Sequence, residues 1–389
     1  MRIAFIAGNY PTASRPGPGT FVQQFVRAMA RQGHACEVVG PVSVFDRRHG
    51  PLPPRSAAEA AAGGAEIRVH RPRYVSFSAR DLGWTHTGRW TNACFTRSAL
   101  AAVARLAPRP DLVYGHFMYP AGQAAVRAAL RLNVPSVVGV GEGEFWTIAA
   151  PGFPRATREL AAADAFLAVS TCIREDLEAK LAVPARKIAV FPNGVDTALF
   201  RPRDRMEMRR KLGLPAGAFL VGFSGPFIAQ KGYPELVAAV AGLPEVQLVL
   251  LGRGAHPAHD PRTAFCGVVA HADMADYLGA CDIFALPTRI EGSCNSVIEA
   301  MACGLPVVTA SGRYMDDIVD DQTAIRVDPA DAGALRAAIQ ALQADPGRRQ
   351  RMSAACLAKA KNLDIHERAR RVSAWFETLA AQRAQGAKP

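Results

Sequence analysis

Two carboxylates eight positions apart, Glu291 and Glu299, enclose the polar run Ser293-Cys294-Asn295-Ser296. The apolar string Asp282-Ile283-Phe284-Ala285-Leu286-Pro287 precedes them, and Cys303-Gly304-Leu305-Pro306-Val307-Val308 follows. The pattern predicts a buried strand, a polar loop, a short helix closed by Gly304 and Pro306, and a second buried strand. In a parallel sheet the loops at the carboxyl ends of strands carry the ligand, so both glutamates are expected on one edge. Carboxylates there can accept hydrogen bonds from hydroxyls, and the unpaired N–H groups of the helix start suit a phosphate. Ser296-x-x-Glu299 also fits a capping box, in which the glutamate serves only the helix. A second cation-bearing loop, Gly225-Pro226-Phe227-Ile228-Ala229-Gln230-Lys231-Gly232, follows the apolar string Phe219-Leu220-Val221-Gly222-Phe223. A lysine at such a strand end can neutralise a phosphate as a point charge.

The elements needed to hold these residues alternate along the whole chain. Arg2-Ile3-Ala4-Phe5-Ile6-Ala7 reads as a first buried strand, followed by a long Gly/Pro loop from Gly8 to Thr20 and a helix with Phe21, Phe25 and Met29 on one face. Further strands are expected at Asp111–His116, 136–140 and 165–169, with a helix from about 121 to 132. Residues 47–64, rich in Pro, Ala and Gly, read as irregular, and 71–97 as an Arg- and aromatic-rich loop or packed insertion. The turn-rich passage Phe191-Pro192-Asn193-Gly194-Val195-Asp196 hands over to a second alternating set, with strands near 219–223, 247–251, 264–268, 283–286, 307–309 and 324–327. Val372, Trp375, Phe376 and Leu379 form the apolar stripe of a last helix.

With these residues in place, the string from Glu291 to Val308 resembles the signature of retaining nucleotide-sugar glycosyltransferases of family 4, which carry Glu-x7-Glu followed by Glu-Ala-Met-Ala-Cys-Gly-x-Pro-Val-Val. Pro192-Asn193-Gly194-Val195-Asp196 is similar to the string closing that family's N-terminal domain. The resemblance implies an α/β GT-B fold, with two Rossmann-like domains whose parallel sheets face a central cleft. Expected bounds are 1–197 for an acceptor-side domain, onto which a final helix of about 366–389 packs back, and 198–365 for a donor-binding domain. It also implies that Glu299 takes the ribose hydroxyls, Glu291 faces the donor sugar, Lys231 holds the diphosphate, and Ser293, Cys294, Asn295 and Ser296 contact phosphate and sugar. Val268 would sit where the family offers backbone groups to the base. His116, in Tyr114-Gly115-His116-Phe117-Met118-Tyr119-Pro120, matches a family segment and joins Asn9, Gly19 and Thr20 on the acceptor side. The chain departs from the family twice. The diphosphate arginine is Pro226 here, leaving Arg253 or Arg289 as substitutes, and the histidine of the next strand falls on Gly141, leaving Glu142 or Glu144 to contact the donor sugar. Glu291, Lys231 and Glu144 are therefore the expected catalytic set.

The 389 residues suggest two domains, and 49% apolar residues supply cores for both. No apolar run approaches 18 residues, and the first strand stops too soon for a secretory leader. Eight scattered cysteines without paired spacing predict reduced thiols and no zinc site. The first 200 residues hold 23 Lys and Arg against 14 Asp and Glu, the remainder 23 against 20. That basic half is compatible with a solvated surface or with an anionic membrane face, and no nucleic-acid-binding pattern accompanies it. No Asp-x-Asp stands at a strand end, so metal-independent chemistry without a cofactor is expected. The reading is transfer of a sugar from a nucleotide-sugar donor to a glycan or lipid-linked acceptor in cell-surface polysaccharide assembly, in the cytoplasm or peripherally at the inner membrane face. The departures at Gly141 and Pro226 keep a non-catalytic nucleotide-sugar-binding subunit as the alternative, with a GT-B isomerase or phosphorylase behind it.

Overall fold

The computed structural model describes residues 1–15, 17–60, 66–255 and 260–386. The chain divides into two compact units, Met1–Phe191 together with the segment from Ile365 onward, and Pro192–Asp364.

The first unit runs β1 (Arg2–Ala7), α1 (Thr20–Arg31), β2 (Ala35–Val39), β3 (Val42–Ser43), β4 (Ser56–Ala60), β5 (Glu66–His70), β6 (Arg73–Tyr74), α2 (Gly88–Val103), β7 (Leu112–His116), α3 (Gln123–Leu132), β8 (Ser136–Val140), α4 (Phe153–Leu160), β9 (Ala165–Ala168), α5 (Thr171–Leu181) and β10 (Ile188–Val190). Its sheet has the order β10-β9-β8-β7-β1-β2-β5-β4, with every pair parallel except β4 against β5. β1, β7 and β8 are apolar along nearly their whole length because helices cover both faces of a parallel sheet. β3 and β6 form a separate two-stranded parallel ribbon.

The second unit runs α6 (Arg205–Leu212), β11 (Phe219–Ser224), α7 (Tyr233–Val240), β12 (Val246–Leu251), β13 (Thr263–Gly267), α8 (Met274–Gly279), β14 (Ile283–Leu286), α9 (Asn295–Ala302), β15 (Val307–Ala310), β16 (Ala324–Val327), α10 (Ala332–Ala344) and α11 (Pro346–Lys361). Its six-stranded sheet, in the order β13-β12-β11-β14-β15-β16, is parallel throughout. At the amino ends of the strands the buried Asp282 carboxylate accepts from Leu220 N at 2.8 Å and from Arg209 at 2.7 Å. That pairing locks β14 beside β11 and leaves the carboxyl ends to carry loops. The final helix, α12 (Ile365–Ala384), belongs to the first unit and packs on α1, with Arg368 over the Phe25 ring at 4.6 Å. Val372, Phe376 and Leu379 are buried along it, each worth roughly 1.5–3 kcal/mol at most.

Two stretches differ from the sequence expectation. Within 47–64, Ser56–Ala60 is an antiparallel edge strand after a short 3-10 turn at Val44–His49, while 61–64 lie outside the described residues. The alanine-rich run shows no apolar alternation, and only its pairing with β5 makes it a strand. Within 71–97, α2 begins at Gly88, and Phe95 packs edge-on against Tyr74 with ring centres 5.5 Å apart. The last three residues of the expected C-terminal segment lie outside the described residues. Among the described residues no helix is long and apolar enough to cross a membrane.

Candidate functional site

In each sheet the strand order reverses at one place, and there the loops leaving adjacent strands diverge and open a crevice. In the second unit that place lies between β11 and β14. The loop leaving β11 ends in the turn Ala229–Lys231, and the loop leaving β14 carries Thr288 and Glu291. Arg289 N donates to Gln230 O at 2.9 Å and Thr288 Oγ1 to the same oxygen at 3.2 Å, so the two loops are stitched together. Stacking of Phe227 on Tyr233, centroids 4.9 Å apart, anchors the first loop to α7. The result is a direct ion pair between Lys231 Nζ and Glu291 Oε1, residues 60 positions apart in sequence. The same carboxylate oxygen accepts from Thr288 Oγ1 at 3.1 Å and lies 3.8 Å from Cys294 Sγ. Burial works against the Lys231 charge, but Glu291, Cys294 and the hydrogen bond outweigh it and hold the ammonium above its ordinary pKa. Burial, with Glu291 next, raises the Cys294 thiol. The thiol is thus a neutral neighbour rather than a thiolate.

α9 starts beside this pair. Cys294, not Ser296, is its N-cap, and no side chain caps it, so the capping box does not form. Val297 N and Ile298 N reach Cys294 O, whereas no acceptor within the described residues is recorded for the N–H groups of Asn295 and Ser296. Glu299 is buried to 7% exposure and meets His271 Nε2 at 3.2 Å. Asn193 supports the preceding loop, its N–H donating to Ser293 Oγ at 3.2 Å and its side-chain amide to Asn295 Oδ1 at 2.9 Å. The string read only as a handover thus holds the polar run in position. Thr288, His271 and Asn193 were not among the expected site residues. Thr288 had a signal in its nearness to Glu291, but His271 and Asn193 reach the site only through the fold.

Of the two substitutes for the family arginine, Arg289 is engaged by Glu235 at 2.6 Å. Arg253, after β12, is exposed without an ion-pair partner among the described residues, and its carbonyl receives Phe227 N at 2.9 Å. Val268, after β13, is the most exposed apolar residue of this edge at 74%. Of the acidic residues following β15, Asp316 is paired with Arg326 at 2.7 Å and Asp320 with Lys359 at 2.6 Å.

In the first unit the reversal falls between β1 and β7. Asn9 leaves β1, and Gly19 lies against it so closely that a Cβ at Gly19 would stand 1.3 Å from Asn9 O, with φ at +83°. Only glycine fits there. Thr20 Oγ1 donates to Gly17 O at 2.7 Å, and Asn9 Oδ1 is buried without a partner among the described residues. His116 ends β7, its Nδ1 lying 3.0 Å from the Tyr114 hydroxyl and its ring against Phe21 and Phe117. Its Nε2 is buried without a partner among the described residues. In the tautomer whose Nδ1 accepts from Tyr114, Nε2 is an unspent donor.

Past β8, Glu142 is consumed internally, accepting from Met118 N at 2.9 Å, Thr147 Oγ1 at 2.7 Å and Gly141 N at 3.0 Å. Glu144 is exposed, and it and Phe145 both have positive φ, at 54° and 50°. Two successive left-handed residues other than glycine store strain that marks functional loops. Of the two alternatives at this strand end, Glu144 is the one left available. A Cβ at Gly141 would meet its nearest neighbours at ordinary contact, 3.5–3.6 Å, so sterics do not explain the histidine's absence.

Burial, reinforced by Arg368, pulls His116 from 6.5 down to about 3. The unfolded chain therefore binds a proton between those values that the folded chain refuses. Stability from His116 is complete above pH 6.5 and is lost as pH falls toward 3. A melting series from pH 7.5 to 4.5 is expected to show falling Tm for the wild type and a shallower fall for His116→Gln. Parallel slopes would exclude His116 as a source of the acid sensitivity.

Residues 218–345 match the family model described as glycosyl transferases group 1, and residues 16–199 that described as glycosyltransferase family 4. A D-inositol 3-phosphate glycosyltransferase of Xylanimonas cellulosilytica is 30% identical over 95% of this chain and 94% of its own. A protein of Bacillus subtilis assigned to teichuronic acid biosynthesis as a glycosyltransferase is 28% identical over 87% and 88%. Among solved structures, HepE of Anabaena matches over 97% of this chain and 100% of its own. The TM-score is 0.72 for its complex with UDP, at 18% identity, and 0.70 for that with UDP-glucose, at 19%.

Proposed function

The chain belongs to glycosyltransferase family 4, with the GT-B fold, and from that premise we propose that it moves a sugar with retained configuration from a nucleotide-sugar donor to a glycan or lipid-linked acceptor of a cell-surface polysaccharide. The observation that carries the reading is the Lys231–Glu291 pair at the sheet's reversal point, one helix start away from the buried Glu299. Glu299 and His271 receive the ribose hydroxyls. The N–H groups opening α9, Lys231 and Arg253 hold the diphosphate, and Glu291 faces the sugar. The bond from the anomeric carbon to the phosphate oxygen breaks as the acceptor oxygen attacks from the same face, and the acceptor's proton passes to the departing phosphate. Charge accumulates on the leaving diphosphate, where preformed donors act without reorganising. No metal is required in this scheme. In the first unit, His116 and Glu144 on the strand-end loops are the residues this reading assigns to substrate.

HepE's complexes with UDP and UDP-glucose support a nucleotide-sugar donor, and the Bacillus relative supports a polysaccharide acceptor. Exposed Phe77, Trp84 and Trp90, flanked by Arg80 and Arg89, support action at the inner membrane face.

The test is nucleotide release from a panel of UDP-, GDP- and ADP-sugars, with and without EDTA. One donor class is expected to turn over, unaffected by the chelator. Glu299→Ala is expected to raise the donor KM roughly tenfold or more, the scale of a charge-assisted hydrogen bond of about 1.5–3 kcal/mol, while changing kcat less. No release from any donor would sink the reading, and epimerised donor would replace it with an isomerase.

A further inference from the structure

A pocket of about 90 Å³, open to solvent, lies at the carboxyl ends of β1 and β2, lined by Asn9, Thr12, Ser14, Arg15, Asp46 and Pro53 among others. Its margin is strongly basic. The ribbon register sets Arg73 beside Val42, a lining residue, and Arg73 Nη2 donates to Pro53 O, another. Arg73 Nη1 is shut off from solvent and finds no acceptor among the described residues. Burial foremost, and then the positive charges of Arg55, Arg71 and Arg47, hold its pKa below the usual arginine value. Arg15 stands on the pocket wall without an ion-pair partner among the described residues.

Two carboxylates are near enough to matter. Glu59 is already used, accepting from Tyr10 at 3.2 Å, Gln23 at 2.9 Å and Arg27 at 3.4 Å. Asp46 lines the pocket but forms no ion pair with any of the arginines among the described residues. Among the described residues, five guanidiniums against one uncommitted carboxylate leave an excess of positive charge, and one buried N–H has nothing to donate to. An arginine cluster of that kind persists where an anion completes it, because a planar guanidinium matches the paired oxygens of a carboxylate or phosphate. The buried, unpartnered Asn9 Oδ1 adds a polar atom that a sugar hydroxyl can satisfy.

We propose that this pocket is a subsite for an oxyanion carried by the acceptor saccharide, a phosphate ester or a uronic carboxylate, with Arg73 and Arg15 as its principal contacts. Identifying the bound molecule as the acceptor rests on the transferase reading, whereas the preference for anionic sugars does not.

The test is a ligand-observed NMR titration of the full chain with glucose 6-phosphate, glucuronate and glucose. It is run on the Lys231→Ala protein, so that an oxyanion seated at the donor edge does not contribute. At least one anionic sugar is expected to bind about tenfold more tightly than glucose, and that excess falls to near unity in Arg73→Gln and in Arg15→Gln. Preference for glucose 6-phosphate names a phosphate ester as the source, and preference for glucuronate names a uronic acid. Arg15→Gln, which removes no recorded side-chain contact, decides the matter if Arg73→Gln melts early. Equal affinity for all three sugars, no binding of either anionic sugar, or an anionic preference that survives the substitutions overturns the proposal. Nucleotide release by the wild-type protein without acceptor reports on the transferase reading separately, so the two can fail independently.

Discussion

Lys231→Ala is expected to leave a folded chain whose turnover has dropped by roughly a hundredfold to a thousandfold, the usual loss when one fixed donor to a developing charge is removed. The lysine side chain is only 23% exposed and its partner Glu291 13%, so water screens the pair poorly. In the resting site Glu291 occupies the ammonium. When donor binds, the diphosphate competes for the same three N–H groups, and the charge that builds on the leaving phosphate draws Lys231 harder than the ground state does. The loss therefore belongs in kcat more than in donor KM. Lys231→Arg should recover only part of it, because the pocket between Thr288, Cys294 and Glu291 presents a carboxylate to a compact ammonium rather than to a planar fork.

The pH dependence carries a definite sign. The folded pKa of Lys231 is raised above 10.5, so the stability it contributes is complete below 10.5 and is lost only as pH rises through the raised value. Wild-type melting temperature should decline more steeply above pH 10.5 than that of Lys231→Ala. Turnover of Lys231→Ala within a few-fold of wild type would remove the lysine from the mechanism.

Gly232→Ala is expected to damage both stability and turnover, although the residue touches no substrate. Gly232 has φ at +68°, and a Cβ there would stand 2.1 Å from Pro287 O, the backbone leading into Thr288 and Glu291. The left-handed conformation alone costs an alanine on the order of 1 kcal/mol, and the clash adds to it by pushing the β11 and β14 loops apart. Since the Lys231–Glu291 pair exists only while those loops abut, a displacement near 1 Å at this point should cost on the order of a hundredfold in kcat. Melting curves and steady-state kinetics on the same preparation separate the two substitutions. Lys231→Ala should lower kcat and, below pH 10, lower Tm only by what the lost Lys231–Glu291 pair contributed, whereas Gly232→Ala adds backbone strain and a clash and should lower Tm further along with kcat. A Gly232→Ala protein with wild-type Tm and kcat would mean that the two loops do not depend on this contact.

These two neighbours differ in how readable they are. Lysine followed by glycine after an apolar strand signals a phosphate loop, but the reason for the glycine is a carbonyl 55 positions away at Pro287. Likewise the alternation of buried strands and amphipathic helices announces two parallel sheets, because burial on both faces demands unbroken apolar strands. The same rule fails for β4, whose alanines alternate between partly covered and exposed, and for α2, whose start lies inside an aromatic-rich run. In both cases the partner strand or packing ring decides the element.

From sequence alone come the fold class, Glu291 and Lys231 on strand-end loops with Glu299 on the helix that follows, and the missing family histidine and arginine. These follow from periodicities of two and 3.6 residues and from short strings, which are properties of neighbours in the chain. Only the tertiary structure decides that Glu299 meets His271 rather than capping its own helix, that Asn193 holds Ser293 and Asn295, that Glu142 is spent and Glu144 is not, and that arginines from three segments gather at one pocket. Those pairings join residues 24 to 102 positions apart, and no local pattern encodes a contact whose geometry is set by where whole strands lie in a sheet.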